Sequence, residues 1–304
     1  MNRCPGTRGR AIGTQATENT ELAPRNATTD PFTTIINNNI ESIMPLTGYR
    51  ALVCGASKGI GRASAERLAQ LGASVTTLAR TESALADVIA TLDTSKGQVH
   101  SMVVADVTRP DELVHSVQNH VDNVGAIHIC VNNTAGPAGG KLIDAKPEQL
   151  LEAFSNHILI AHRLTSVLVP GMKAAGYGRI VNIISTSVKQ PIEGLGVSNT
   201  IRGAMASWSK TLATELAPYG ITVTNVLPGA TETERLTQII DRKAEGARIA
   251  VDDVRQEMLD EIPAGRFARP EEIANAVGFL ALPMSGYITG TSILVDGGRT
   301  RALS

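Results

Sequence analysis

An apolar stretch that ends at Cys54 runs into three closely spaced glycines, Gly55, Gly59 and Gly61. Gly55 can take the positive φ of a tight turn, Gly59 lets a ligand approach the backbone, and Gly61 lets a following helix lie close to the sheet. The free N–H groups and dipole of that helix would suit a pyrophosphate. The spacing differs from G-x-G-x-x-G, so a purely structural turn is the alternative. We predict a nucleotide-binding turn with contacts from Gly55, Ser57, Lys58, Gly59, Ile60 and Gly61.

The residue that follows the second predicted strand, Val75 to Ala79, is Arg80. In folds of this kind an acidic residue near this point binds the ribose hydroxyls of NAD, whereas a basic residue accommodates the 2′-phosphate of NADP. Lys58 in the glycine turn adds a second positive charge. The sequence therefore favours NADP(H), and a solvated surface arginine is the alternative interpretation of Arg80.

Polar or glycine residues also follow the later predicted strands, at their carboxyl ends. Open parallel sheets bind ligands at this edge, so we expect these residues to line one crevice. They are Asp106 and Val107 after strand 99–105, Asn132 and Asn133 after strand 127–131, Ser185 after strand 180–184, and Pro228 and Gly229 after strand 221–227. Thr231 then begins a polar insert, residues 231–261, which we expect to be irregular and to form a mobile lid.

The elements that position these residues alternate between strands and helices from Leu46 onward. This alternation predicts a single α/β domain over residues 44–304, with a doubly wound parallel sheet of seven strands. Residues 1–43 differ, because they are rich in Thr, Asn and Arg and lack a sustained apolar period. We predict a disordered N-terminal extension there, and Met44 is a candidate for the native start.

Composition excludes several classes of function. The chain has 304 residues, a formal net charge of -1 and 42% hydrophobic residues. Without a basic field or a long apolar run, neither a nucleic acid nor a membrane is expected as a partner. The three cysteines are not clustered, so we expect no metal site and no disulfide framework. A reducing, cytoplasmic location is the simplest interpretation.

Several motifs, in order, make the chain resemble the short-chain dehydrogenase/reductase family, and in particular its 3-oxoacyl-carrier-protein-reductase-like branch. The likeness extends from Leu46 to about Gly298. It implies a Rossmann-like fold, a nicotinamide cofactor, a small-molecule carbonyl or hydroxyl substrate, and a homo-oligomer, either a tetramer or a dimer. The motifs are residues 55–61, Asp106-Val107, Asn132-Asn133, residues 178–183, residues 215–221, Pro228-Gly229, residues 265–267, residues 287–290 and residues 295–298.

The same resemblance implies a catalytic set of Asn, Ser, Tyr and Lys, which this chain does not keep. Ser185 fits the serine position, but Ser198 stands at the tyrosine position and Arg202 at the lysine position. His157 falls at the asparagine position. Thr134-Ala135 also replaces the usual Ala-Gly after the paired asparagines. Four candidate catalytic residues follow: Ser185, Ser198, Arg202 and His157, and Arg202 is also a predicted cofactor contact.

These substitutions change the available chemistry. A serine hydroxyl is a much weaker acid than the phenol, so Ser198 cannot simply replace it. Arg202 stays protonated, yet it can stabilise an alkoxide or clamp a carboxylate or phosphate. His157 ordinarily titrates near neutrality and could supply protons through water, although a structural histidine bonded to a carbonyl is the alternative. Ser185 is either a donor to the substrate carbonyl or a plain strand-end hydroxyl.

Two functions are therefore open. The first is an NADP-dependent oxidoreductase that transfers hydride between nicotinamide and a carbonyl or hydroxyl substrate. The second is a catalytically silent NADP-binding protein or a partner subunit of an active homologue. Loss of a general acid typically costs about 10²–10⁴ in rate, which leaves room for a slow enzyme.

Overall fold

The computed structural model describes residues 46–303, and a parallel β-sheet lies at their centre. Its strands are β1 (Arg50–Cys54), β2 (Ser74–Ala79), β3 (Ser101–Val104), β4 (Ile129–Asn132), β5 (Gly178–Ile183), β6 (Ile221–Pro228) and β7 (Ser292–Val295). They lie in the order β3-β2-β1-β4-β5-β6-β7, so the strand order reverses between β1 and β4. Open α/β sheets bind ligands beyond the strand carboxyl ends at such a point. The predicted seven-stranded, doubly wound, Rossmann-like sheet is confirmed.

Helices cover both faces of the sheet. They are α1 (Gly59–Gln70), α2 (Glu82–Thr91), α3 (Pro110–Val124), α4 (Pro147–Phe154), α5 (Ile160–Ala175), α6 (Gly196–Leu216), α7 (Glu234–Ala247), α8 (Val251–Asp260) and α9 (Pro270–Ala281). Alternate residues of β1 point to opposite faces, as the two-residue period of a strand requires. Val53 belongs to the cluster formed with α1 and α9, and Leu52 to the cluster formed with α3, α5 and α6. A strand that is covered on both faces therefore needs apolar residues at consecutive positions, without alternation between apolar and polar residues.

The helix predicted after Pro147 is interrupted by a π-helical turn, Ser155–Leu159, between α4 and α5. A π turn inserts one extra residue into a helix and changes the direction of the side chains that follow. His157 lies in the middle of this turn and is buried. Apolar periodicity predicts the helix but not this interruption, which positions a candidate catalytic residue.

The prediction that residues 231–261 are irregular is wrong. This segment contains α7 and α8, which bury a separate small apolar cluster. Leu236, Ile240 and Ala244 are spaced four residues apart on α7, so the helix is amphipathic despite its polar composition. The edge strand β3 also begins later than predicted. Its pairing with β2 starts at Ser101, and Val99 is 77% exposed.

Two further expectations concern the limits of the fold. The prediction of disorder for residues 1–43 and the candidate start at Met44 lie outside the described residues. Within residues 46–303, no helix is long and apolar enough to cross a membrane. In the same range, His, Cys, Asp and Glu side chains form no group capable of holding a metal ion.

Candidate active site

The glycine turn between β1 and α1 has contacts that only glycine permits. Gly55 and Gly59 have φ angles of +60° and +55°. A Cβ atom on Gly61 would lie 2.1 Å from the carbonyl oxygen of Gly55, and one on Gly55 would lie 2.6 Å from the carbonyl oxygen of Asn133. Backbone therefore packs directly on backbone where α1 begins, with the free N–H groups of the first helical turn at the same place. This geometry is the one expected of a pyrophosphate-binding turn. Ser57 and Ile60, the other predicted contacts, lie in the same turn.

The two predicted phosphate-binding cations have different surroundings. Lys58 is extended just before α1, and its exposed ammonium forms an ion pair with Glu234 at the start of α7. Arg80 is exposed directly after β2, and the structure gives it no ion pair within residues 46–303. The pKa of Asp106 is lowered chiefly by the backbone N–H of Thr108, and Arg80 contributes a smaller effect. Arg80 is thus the cation with donors available to a phosphate beside β2 and β3.

The paired asparagines at the end of β4 form different hydrogen bonds. Asn133 Nδ2 donates to the carbonyl oxygens of Cys54 and Gly55, at 3.3 and 3.4 Å, and so fixes the glycine turn. Asn132 Nδ2 donates to Asn182 Oδ1 at 2.8 Å, inside a buried polar network. Asn182 in turn donates to Asn225 Oδ1 at 3.1 Å. These bonds tie the carboxyl halves of β4, β5 and β6 together beneath the predicted crevice.

Ser185 and Arg202 are both placed next to the carboxyl end of β5. Ser185 caps a short 3-10 turn, and its Oγ accepts a hydrogen bond from the Ser187 N–H at 3.1 Å, which leaves its own O–H available to donate. Arg202 on α6 donates from Nη1 to the Ile183 carbonyl oxygen at 3.2 Å, two residues before Ser185. Ser198 lies one turn earlier on α6 and is half-buried.

His157 approaches the same region from the opposite helix pair. Its side chain is 4% exposed, and Nδ1 shares a 2.5 Å hydrogen bond with the Thr134 hydroxyl. Burial lowers the pKa of His157 to about 3, and the nearby charge of Arg202 contributes to the shift. The imidazole is therefore neutral at neutral pH, in contrast to the near-neutral titration expected from the sequence. A small cavity with room for about one water molecule lies among Val107, Thr134, His157 and Arg202.

Arg202 is one of two guanidinium groups at this site. It is 7% exposed, and desolvation, reinforced by the charge of Arg235, lowers its pKa to about 10. Arg235 comes from α7 and donates from Nη2 to the Pro137 carbonyl oxygen at 2.9 Å. The Nη2 atoms of Arg202 and Arg235 both approach Gly136. They lie 3.6 Å and 3.5 Å, respectively, from the position that a Cβ atom on Gly136 would occupy.

The start of α7 connects this arginine pair to the glycine turn. Thr233 Cγ2 lies 3.2 Å from the Cβ position of Gly59, next to the ion pair between Lys58 and Glu234. The Thr231 hydroxyl donates to the Gly229 carbonyl oxygen at 3.1 Å, directly after Pro228 at the end of β6. Residues 231–235 therefore join the end of β6, the predicted pyrophosphate site and Arg202.

Sequence reasoning missed three residues of this site. Arg235 was hidden in a polar segment, and its position in the first turn of α7 is seen only in the structure. The departure at Thr134 from the family pattern was visible, but its contact with His157 was not. Asn182 was part of a recognised motif, and its network with Asn132 follows from their pairing across β4 and β5.

Comparisons with known proteins agree with this architecture. A family model described as Enoyl-(Acyl carrier protein) reductase matches residues 55–300. The chain belongs to the short-chain dehydrogenase/reductase family. Within this family it is 34% identical over 256 residues to the 3-oxoacyl-[acyl-carrier-protein] reductase FabG of Vibrio cholerae, which covers 84% of this chain and 98% of that protein. The predicted resemblance to the reductase-like branch is thereby confirmed.

Other members of the family show how varied its substrates are. The chain is 33% identical over 257 residues to the 2,3-dihydroxy-2,3-dihydro-p-cumate dehydrogenase of Pseudomonas putida, covering 84% of this chain and 96% of that protein. Among solved structures, L-sorbose reductase from Gluconobacter frateurii, complexed with NADPH and L-sorbose, superimposes with a TM-score of 0.79. That structure is 32% identical, and the match covers 86% of this chain and 99% of that one. The shared fold thus serves substrates of different size and polarity, so the substrate has to be argued from this site.

Proposed function

We propose that this protein is an NADP(H)-dependent oxidoreductase of the short-chain dehydrogenase/reductase family, acting on a carbonyl or hydroxyl group of a small molecule. The observation that carries the proposal is the backbone-on-backbone glycine turn at the start of α1, next to the switch in strand order. The exposed Arg80 at the end of β2 favours a phosphorylated ribose. The NADPH complex of the related L-sorbose reductase supports the same choice of cofactor.

The protein's own residues would bind and orient the reactants. Residues 55–61 fit the pyrophosphate, Asn133 holds that turn in shape, and Arg80 fits the 2′-phosphate. NADPH, when bound, supplies a hydride from its nicotinamide. Asp106, Val107, Pro228, Gly229 and Thr231 stay predicted cofactor contacts on the neighbouring loops.

At the reacting carbon, Ser185 is the proposed donor to the substrate oxygen, because its O–H is not used by the Ser187 contact. Arg202 on α6, which is bonded to the Ile183 carbonyl oxygen at the end of the same strand, would stabilise negative charge on the substrate oxygen. His157 is neutral, so it would pass a proton only by releasing one and accepting another through its contact with Thr134. Ser198 has the tyrosine's place but neither its reach nor its acidity.

The second candidate is a catalytically silent NADP-binding protein, or a partner subunit of an active homologue. Serine at position 198 and arginine at position 202 favour it, because together they remove the acid and the lysine that the resemblance implies. Under this alternative the cofactor still binds, but no carbonyl compound is reduced.

One experiment separates the candidates. Loss of reduced-nicotinamide absorbance is followed with NADPH and a panel of ketones and aldehydes, alongside calorimetric titration with NADPH. The enzyme hypothesis predicts turnover that Ser185→Ala lowers by about 10²–10⁴, while the exposed Ser207→Ala on α6 leaves it unchanged. Tight NADPH binding without turnover of any compound would favour the silent protein.

The predicted homo-oligomer and the cytoplasmic location belong to the same proposal. A groove between α3 and α5, lined by Val114, Val121, Val167 and Pro170, lies on the long helices through which an oligomer would pack. Light scattering of the purified protein distinguishes a tetramer, a dimer and a monomer.

A further inference from the structure

Two guanidinium groups converge at the carboxyl end of the sheet. Arg202 reaches this point from α6, and Arg235 reaches it from α7. Their Nη2 atoms lie 3.6 and 3.5 Å from the same point, the Cβ position of Gly136. A glycine at position 136 leaves this space open, whereas any side chain there would contact both groups.

The positive charges at this point are not balanced by protein carboxylates. Within residues 46–303, neither Arg202 nor Arg235 forms an ion pair, and each makes one hydrogen bond, to a backbone carbonyl oxygen. A guanidinium has five N–H donors, so most donors of both groups remain for a ligand. Burying like charges together without an anion is costly, and Arg202 is 7% exposed.

We propose that Arg202 and Arg235 together bind an oxyanion group of the substrate, a carboxylate or a phosphate. The inference rests on the proposed function, since it names the class of substrate for the same site. Planar, forked guanidinium groups match the oxygens of both anions by paired hydrogen bonds.

The location of the pair limits the distance between this anionic group and the reacting carbon. Arg202 is bonded to the Ile183 carbonyl oxygen, and Ser185, the proposed donor to the substrate oxygen, follows two residues later. The anionic group therefore lies only a few bonds from the carbonyl, as in a short oxo acid or a phosphorylated hydroxyketone.

The start of α7 also links substrate and cofactor. Thr233 and Glu234 contact the glycine turn at Gly59 and Lys58, and Arg235 is the next residue. A cofactor in the turn and an anion at Arg235 would thus meet the same helical turn, so each should favour the position of α7 that the other needs.

The test compares matched pairs of charged and neutral probes by calorimetry. Acetoacetate is compared with its methyl ester, and dihydroxyacetone phosphate with dihydroxyacetone, using the full-length protein with and without NADP⁺. Acetoacetate or dihydroxyacetone phosphate should bind about 10- to 100-fold more tightly than its neutral counterpart, because charge-assisted bonds are lost in the latter. Whichever pair shows the difference identifies the anion as carboxylate or phosphate.

Variants locate the effect. Arg235→Gln should abolish the preference for the charged probe, with NADPH affinity kept within a few-fold. Lys243→Gln removes a positive charge from an exposed position on the same helix, where the side chain forms no ion pair within residues 46–303, and should change nothing. Melting curves check that both variants fold.

Equal binding of charged and neutral probes by the wild-type protein overturns the anion site, whether or not any variant folds. So does a preference that survives in Arg235→Gln. If NADPH binds and is oxidised by neutral ketones alone, the proposed function holds and the inference fails. If NADPH does not bind, the proposed function fails, and the titrations without NADP⁺ still decide the anion site.

Discussion

Replacing Gly61 by alanine probes the contact on which cofactor binding depends. The new Cβ would lie 2.1 Å from the Gly55 carbonyl oxygen, and 2.7 Å from both the Gly55 carbonyl carbon and Asn133 Nδ2. Ordinary contact begins at 3.4 Å, so the start of α1 must move away from the turn by more than an ångström. The obstacle is backbone, which cannot swing aside as a flexible side chain can.

Both stability and affinity should fall. Overpacking of this kind costs about 1–3 kcal/mol in the free energy of unfolding. Loss of one or two charge-assisted hydrogen bonds from the displaced N–H groups of the first turn should weaken NADPH binding by about 10²-fold. Urea denaturation measures the first quantity, and calorimetric titration with NADPH measures the second.

Gly246 provides a matched control on α7. Like Gly61 it lies in a helix without a positive φ, but its Cβ would meet nothing within 4 Å. Gly246→Ala should leave NADPH binding unchanged and raise stability by about 0.5–1 kcal/mol, since alanine favours the helix. A Gly61→Ala protein that is as stable as the wild type and binds NADPH equally well would show that the close contact between Gly61 and Gly55 is not needed for cofactor binding.

Further predictions concern the charged and catalytic positions. Arg80→Glu should lower NADPH affinity about 10- to 100-fold and spare NADH, measured by parallel titrations; equal losses for both cofactors would contradict the assignment. His157 has a pKa near 3 when folded and 6.5 as its ordinary value, so stability should decline as pH falls through that range. In urea melts His157→Gln should show a shallower decline, and an unchanged slope would point to other groups. Ser198→Tyr with Arg202→Lys restores the acid and lysine implied by the family and should raise carbonyl reduction by about 10²–10⁴. No gain in steady-state rate would show that the cleft has adapted to the present residues.

The central strand β1 was predictable because it is buried on both faces. Leu52 and Val53 of β1 pack into opposite layers, so this strand appears in the sequence as a short, continuous apolar run that ends in glycine. Parallel strands also bring their carboxyl ends to one edge, which predicts that Ser185 lies at the ligand-binding edge. Arg202 lies on a helix, and its assignment to the site came from the family resemblance.

Features that depend on contacts between residues distant in the chain could not be predicted from the sequence pattern. The π turn leaves the apolar spacing almost unchanged while it changes the direction of the His157 side chain. The pKa of His157 is lowered because that side chain is buried against residues distant in the chain. Arg235 and Arg202 come from different helices and approach the same point, at Gly136, only in the folded chain. Polarity alone suggested an irregular segment there, whereas a few apolar residues at helical spacing were enough to form α7 and α8.

The proposed activity requires NADPH to bind at the glycine turn, and calorimetric titration of the full-length protein with NADPH, followed by addition of acetoacetate or dihydroxyacetone phosphate, measures this. We expect one tight NADPH site per chain, weakened about 10²-fold by Gly61→Ala, and oxidation of the bound cofactor after the ketone is added. No binding of NADPH, or equal binding by the wild type and Gly61→Ala, would rule out a cofactor site at the glycine turn.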